Sequence, residues 1–402
     1  MTMLTRTNCR GCESNHLEMI FDFGEVPLAG GFLAGTEAIA TERKYPLRVH
    51  VCHECKLVQI LDVVDAQILF TDYSFSSSTV LPLVDHFRKY AAWLVDRLHP
   101  RKVAEFGCND GILLEPLREL GVEAVGVDVS DNITELARGK GLDVVTGYFD
   151  ERTAANLVER LGRMDVVTGS NAFPHNDRPE KILEATRRAL VDDGHLCLEV
   201  MYAGDLLEQL QWDTLYHEHL TFYSLASLSR LLERHEFHVV HAERLPMHGG
   251  SLRVVAARTP REAVSEECKA IQAYEERTAL DRAETWADFG RRISRKIDIV
   301  RDVFDGLKQR DTIWGYGAAG KATMWVNACG MDYLGGMVDA SPLRAGKLMP
   351  GTHTPIVFPE RFKGAAPDVV FITAWNYASS ITAKENWFRG KWAVPLPDLR
   401  FF

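Results

Sequence analysis

Four side chains able to move protons lie together in Leu215-Tyr216-His217-Glu218-His219-Leu220-Thr221-Phe222-Tyr223: a phenol, two imidazoles and a carboxylate. Imidazole titrates near neutral pH, so a histidine here can take a proton from a weakly acidic carbon when a neighbour stabilises the charge that forms. A zinc-protease HExxH motif would need histidine at position 221, which is Thr, so metal-assisted hydrolysis is disfavoured. The other reading of the run is a polar, histidine-rich cap, since His235, His238 and His241 follow closely. In a regular strand Glu218 and His219 would face opposite sides, so their cooperation requires a turn or a helix.

Sulfur forms a second constellation. Cys9/Cys12 and Cys52/Cys55 are two CxxC pairs, whereas Cys108, Cys197, Cys268 and Cys329 are scattered singles. In a reducing compartment such pairs favour metal coordination over disulfides, and four thiolates close a tetrahedral Zn2+ shell with no position left for water. A closed shell is structural; an iron–sulfur cluster is the less favoured occupant.

The third signal is Glu105-Phe106-Gly107-Cys108-Asn109-Asp110-Gly111, between an apolar strand and a helix expected over Ile112 to Leu120. Glycine lets the backbone turn sharply and approach a ligand at a helix N-terminus. About twenty residues on, Asp128 ends the next apolar run, where a carboxylate can accept hydrogen bonds from ribose hydroxyls. A plain strand-to-helix turn with Asp128 as a cap is the alternative. Leu113 and Leu114 leave no room for a pyrophosphate. The form resembles motifs one and two of class I S-adenosylmethionine methyltransferases, which implies that Glu105, Gly107, Asn109, Gly111 and Asp128 bind that cofactor. The same resemblance places Phe149, within Tyr148-Phe149-Asp150, against the adenine. Asn171, in Ser170-Asn171-Ala172-Phe173-Pro174-His175, ends the fourth strand at the mouth of the sheet, where ligands bind in doubly wound folds.

These residues need elements to hold them. Residues 1–78 read as a loop-rich, metal-stapled module, in which Glu13 to Val51 is long enough to hold extra strands or to reach the active site. An amphipathic helix follows over Val80 to Leu98. Over 79–260 apolar strands (103–106, 124–127, 165–168, 195–200) alternate with helical patterns, which predicts a doubly wound parallel α/β sheet. Residues 261–402 read as a charged helical connector to about Arg310, then a second α/β domain that opens on Gly315-Tyr316-Gly317-Ala318-Ala319-Gly320-Lys321.

The chain has 402 residues, 46% of them hydrophobic and 25% charged, which excludes a disordered or collagenous chain. Its net charge of −10 opposes bulk nucleic-acid binding. No apolar run reaches the roughly 18 to 20 residues of a membrane span, and Met1 to Cys9 lacks a signal-peptide core, so a cytoplasmic protein without membrane contact is expected.

Taken in order, the CxxC pairs, EFGCNDG, SNAFPH, YHEH, HGGSLR (His248 to Arg253), GYGAAGK (Gly315 to Lys321) and PGTHTPI (Pro350 to Ile356) resemble one family along nearly the whole chain, the sugar C-methyltransferases of deoxysugar biosynthesis. The resemblance implies an N-terminal zinc-binding module, a class I methyltransferase Rossmann-like domain and a C-terminal second Rossmann-like domain. It also implies methylation at C3 of a nucleotide-linked 4-keto-6-deoxy sugar (dTDP- or GDP-linked), with S-adenosylmethionine as donor, structural Zn2+ and a monomeric chain. By resemblance His219 is the base, Tyr216 and Glu218 orient substrate or imidazole, and His175 stabilises the enolate or holds the sugar. Tyr73, Ser76, His248 and Lys321 are then substrate-binding, Lys321 toward the diphosphate. Read locally, the glycine turn could equally be a packing turn. Two positions depart from the family pattern: Phe75 replaces a frequent Tyr, and Trp375 to Ile381 lacks an acidic residue. Both bear on sugar and nucleotide identity rather than on reaction type.

Overall fold

The computed structural model describes residues 3–70, 75–259 and 263–402, and most of its strands gather into three sheets. The central sheet has seven strands in the order His238–Leu245, Ser251–Ala257, Leu190–Met201, Met164–Ser170, Lys102–Phe106, Glu123–Asp128 and Asp143–Thr146. The last five are parallel, while Ser251–Ala257 runs antiparallel to both of its neighbours. Strand order reverses between Lys102–Phe106 and Met164–Ser170, which opens a crevice at their C-terminal ends. Helices cover the sheet through apolar stripes at three- and four-residue steps; Leu81–Leu98, for example, buries Leu83, Phe87, Tyr90, Ala91 and Leu94. The helix expected from Ile112 begins instead at Leu114, because positive φ at Asn109 (50°) and Gly111 (79°) keeps the preceding segment off a helical path.

The N-terminal module is an antiparallel sheet ordered Thr221–Phe222, Val58–Ile60, Lys44–Cys52, Leu17–Pro27. Its edge strand therefore comes from the run that carries His219, a pairing between chain segments some 160 residues apart: Thr221 lies opposite Gln59. Along Lys44–Cys52 the buried residues Tyr45, Leu47, Val49 and Val51 alternate with less buried ones, the period of a half-buried strand. Leu47, Val49 and Val51 share one core with Trp286, Phe289, Ile293, Ile297, Val300 and Phe304 of the long helix Ala283–Leu307. The same core continues into the C-terminal sheet, ordered Ile356–Val357, Met337–Val338, Ile313–Tyr316, Val369–Ile372, Lys391–Val394, Arg400–Phe401 and parallel except for its last strand. Among the described residues no helix is long and apolar enough to cross a membrane.

One buried carboxylate joins the C-terminal unit to the segment that precedes His219. Asp213, fully enclosed in the short turn Trp212–Thr214, accepts hydrogen bonds at Oδ2 from the indole nitrogens of Trp325 (2.9 Å) and Trp375 (2.8 Å). The Trp212 ring packs on Trp325 with centroids 4.4 Å apart. Asp213→Ala strands both indole donors in the interior, so we expect a loss of about 2–4 kcal/mol in unfolding free energy by urea denaturation. A change below about 0.5 kcal/mol would show that these bonds do not clamp the two units.

Candidate active site

At the switch point Gly107 follows the Lys102–Phe106 strand with φ of 65°, and a Cβ there would fall 2.2 Å from that of Ala172. Only glycine lets this loop close against the end of the neighbouring strand. The next turn donates Asn109 N (2.9 Å) to the carboxylate of Asp128, which also accepts from Ser130 N two residues on (3.0 Å) and whose pKa burial raises. Gly107, Asn109, Asp128, Phe149 and Asn171 line one cleft of about 890 Å3, and Phe149 stacks on Phe106. Ser170 Oγ and Asn171 Oδ1 are buried in this cleft wall without a protein partner. Unsatisfied acceptors beside a cleft fit a ligand that brings its own N–H and O–H donors, as the ammonium group of S-adenosylmethionine does.

Three expected ligand residues are placed differently. Gly111 faces Leu142 in the helix–sheet packing, not the cleft. Glu105 lies behind the cleft wall, its pKa pushed well up by burial and by Asp128. Ser76 spends its hydroxyl on Asp110 Oδ2 (2.6 Å), and the adjacent Ser77 lines the cleft instead while donating its N–H to Asn109 Oδ1 (2.8 Å). Tyr73 lies outside the described residues.

The far wall carries the histidines. Tyr216 to His219 is a turn closed by His219 N to Tyr216 O at 2.8 Å, so Glu218 and His219 share the cleft as cooperation requires. His219 Nδ1 lies 2.8 Å from the Thr214 carbonyl oxygen, which can only accept. Nδ1 therefore holds the proton of the neutral ring, and Nε2 keeps a lone pair. Burial and the neighbouring His175 press the His219 pKa well below its ordinary value, so the ring is neutral at pH 7. The rings of Tyr216 and His175 approach His219 at 4.0 and 5.0 Å between centroids. Burial lowers His175 to about 4 as well. Glu218 Oε1 accepts the N–H of Gly30 (3.1 Å), which brings the long N-terminal segment to the site. His217 turns away, with Nε2 on the Pro46 carbonyl.

The C-terminal glycine turn closes the cleft. A Cβ on Gly320 would sit 2.9 Å from the Tyr216 ring, so the helix start and the phenol touch because this residue has no side chain. Lys321 places Nζ 3.3 Å from the His248 carbonyl and 4.6 Å from the Trp375 ring, with its pKa lowered by burial. Arg344, also in the wall, pairs with Asp339 (3.1 Å) and keeps a buried Nε without a protein partner.

Away from the cleft, one sulfur each from Cys9, Cys12, Cys52 and Cys55 lie within 4.8 Å of one another, as ligands of one tetrahedral ion must. Gly11 N (3.3 Å) and Gln59 Nε2 (3.0 Å) donate to Cys9 Sγ, which offsets thiolate charge. The donor set fits Zn2+.

Residues 9–70 match a zinc binding domain family, 84–242 a methyltransferase domain family, and 246–397 the family described as C-methyltransferase C-terminal domain. C-methyltransferase NovU of Streptomyces niveus is 32% identical over 98% of this chain and 96% of its own. The chain belongs to the S-adenosylmethionine-dependent C-methyltransferase family. A ubiquinone biosynthesis O-methyltransferase of Pectobacterium carotovorum is 28% identical over 27% of this chain and 46% of its own. Magnesium protoporphyrin IX methyltransferase of Synechocystis, solved with bound S-adenosylhomocysteine, is 18% identical and covers 44% of this chain and 83% of its own at a TM-score of 0.35.

Sequence reasoning about this C-methyltransferase missed Thr214, Gly30 and Arg344. Thr214 and Gly30 act through backbone atoms, which residue type does not report.

Burial raises the Glu218 carboxyl to about 7, opposed only by the Gly30 N–H bond. In the unfolded chain it ionises above about 4.3, so the folding cost is absent near pH 4, grows as pH rises and is complete above about pH 7. Glu218→Gln keeps an acceptor for Gly30 without the charge. We expect it to exceed the parent C-methyltransferase in stability by about 1–3 kcal/mol near pH 8 and to match it near pH 4, by denaturant titration. A variant less stable near pH 8 would contradict the assignment.

Proposed function

We propose that this C-methyltransferase acts at C3 of a nucleotide-linked 4-keto-6-deoxy sugar through an enolate, with His219 as the base. The observation that carries the reading is the 2.8 Å contact of His219 Nδ1 with the Thr214 carbonyl, which leaves Nε2 as a proton acceptor in the cleft. A carbon hydrogen beside a ketone is acidic enough for imidazole only when the developing oxygen charge is held by donors. His175, neutral and 5.0 Å from the base between ring centroids, is the donor we assign to the C4 oxygen. Tyr216 packs on the base and holds its ring plane, and Glu218 orients the turn through Gly30.

Asn109, Asp128, Phe149 and Asn171 form the donor side of the cleft, where bound S-adenosylmethionine supplies an electrophilic methyl group. Lys321 and Arg344 offer positive charge on the C-terminal side, which suits a sugar diphosphate, and His248 borders the same wall. On this reading residues 1–78, 79–260 and 261–402 serve as zinc-binding module, donor domain and substrate-side domain. His219 accepts the C3 proton, the C–H electron pair enters the enolate, and the same pair forms the new bond from C3 to the methyl carbon as the methyl–sulfur bond breaks and its pair leaves with S-adenosylhomocysteine.

The test is turnover of dTDP- and GDP-linked 4-keto-6-deoxy sugars with S-adenosylmethionine, the product being read by carbon NMR. The expected product carries the methyl on C3, and His219→Asn lowers kcat by about 100- to 10,000-fold while S-adenosylhomocysteine affinity is kept. A methyl on oxygen or nitrogen, or full turnover by His219→Asn, overturns the proposal.

A further inference from the structure

Arg10 follows the zinc ligand Cys9 directly, and its side chain is fully enclosed. Burial of a guanidinium is costly and pulls its pKa down to about 10, so the position calls for compensating contacts. Those contacts run directly to the segment of His175 and, through the strand Val58–Ile60, to the segment of His219, while the buried Nη2 has no protein partner. Nε donates to Asp177 Oδ1 (3.0 Å), two residues beyond His175. Nη1 donates to the Ile60 carbonyl (2.5 Å), and the Ile60 N–H in turn donates to Leu220 O (2.9 Å), next to His219. Leu220 N donates to Pro174 O (2.9 Å), the residue before His175. On the metal side, Gln59 accepts from Arg10 N (3.1 Å) through Oε1 and donates to Cys9 Sγ through Nε2 (3.0 Å).

We propose that Arg10 is a positioning residue that fixes the His175 and His219 segments against the zinc knuckle and so sets the spacing of the two rings. The inference rests on the proposed role of these histidines, but the spacing itself is independent of the substrate. A cation next to a zinc ligand, held between the His175 loop and the strand that pairs with the His219 segment, has this geometric consequence whatever the reaction is.

The test uses the full-length zinc-loaded protein. In Arg10→Met, where an unbranched apolar side chain fills the space, one zinc per chain and the S-adenosylhomocysteine affinity are expected to persist. The imidazole 15N resonances of His175 and His219, assigned through single His→Asn variants, are expected to move, and kcat to fall about 10- to 100-fold with the KM for S-adenosylmethionine unchanged. Asp177→Ala, at the rim, cuts the Nε arm together with the Arg6 pair on the same carboxylate (3.2 Å) and is expected to move the His175 signals more than those of His219. Unmoved histidine signals in both variants, or loss of zinc and cofactor affinity together with activity, overturns the proposal. Moved signals in a protein that proves inactive on keto sugars would support the positioning role while the substrate reading fails.

Discussion

The hydrogen bond between His219 Nδ1 and the Thr214 carbonyl is where protein architecture becomes reactivity in this molecule. A buried imidazole can offer either nitrogen, and a fixed carbonyl on one of them decides which is left as the acceptor. That bond depends in turn on Thr214 being held still. Its neighbour Asp213 is gripped by two indoles of the C-terminal unit, and the following turn is pinned by strand pairing of Thr221 with Gln59. All three parts of the chain thus converge on one imidazole.

Burial gives this base a particular character. With its pKa far below the ordinary histidine value it is unprotonated and ready, but an imidazolium formed there would be poorly solvated. Proton removal from carbon at such a base requires that charge not accumulate, which places the demand on neutral donors beside it rather than on base strength. His175 and Tyr216 crowd the ring, and the cleft continues past them to the buried, unpaired oxygens at the switch point. The two halves of a methyl transfer, a carbon made nucleophilic and a donor site opposite it, fall on facing walls of one cavity.

Much of this was legible in the sequence. CxxC spacing is rigid chemistry, and the four sulfurs meet as that spacing demands. The alternation of apolar strands with helices yielded the central parallel sheet, and Gly107 and Asp128 fell at its switch point because a sharp turn and a strand-end carboxylate are local features. What residue types could not report is long-range or carried by backbone atoms: the Thr221–Gln59 pairing, the Gly30 amide on Glu218, the Thr214 carbonyl, and the burial that redirected Ser76 to Asp110 and Gly111 to Leu142. Glu105 was recognised by its position in a motif, yet its side chain stands behind the wall, since alternation along a strand sets side and not depth.

The central claim is that the imidazole of His219 removes hydrogen from carbon before any methyl moves. Its most direct measurement is proton NMR of a 4-keto-6-deoxy nucleotide sugar in deuterium oxide, with enzyme and S-adenosylhomocysteine in place of the methyl donor. The account predicts that the hydrogen at C3 alone washes out with wild-type protein and stays in place with His219→Asn. Equal washout by both proteins, or none by either, would contradict it.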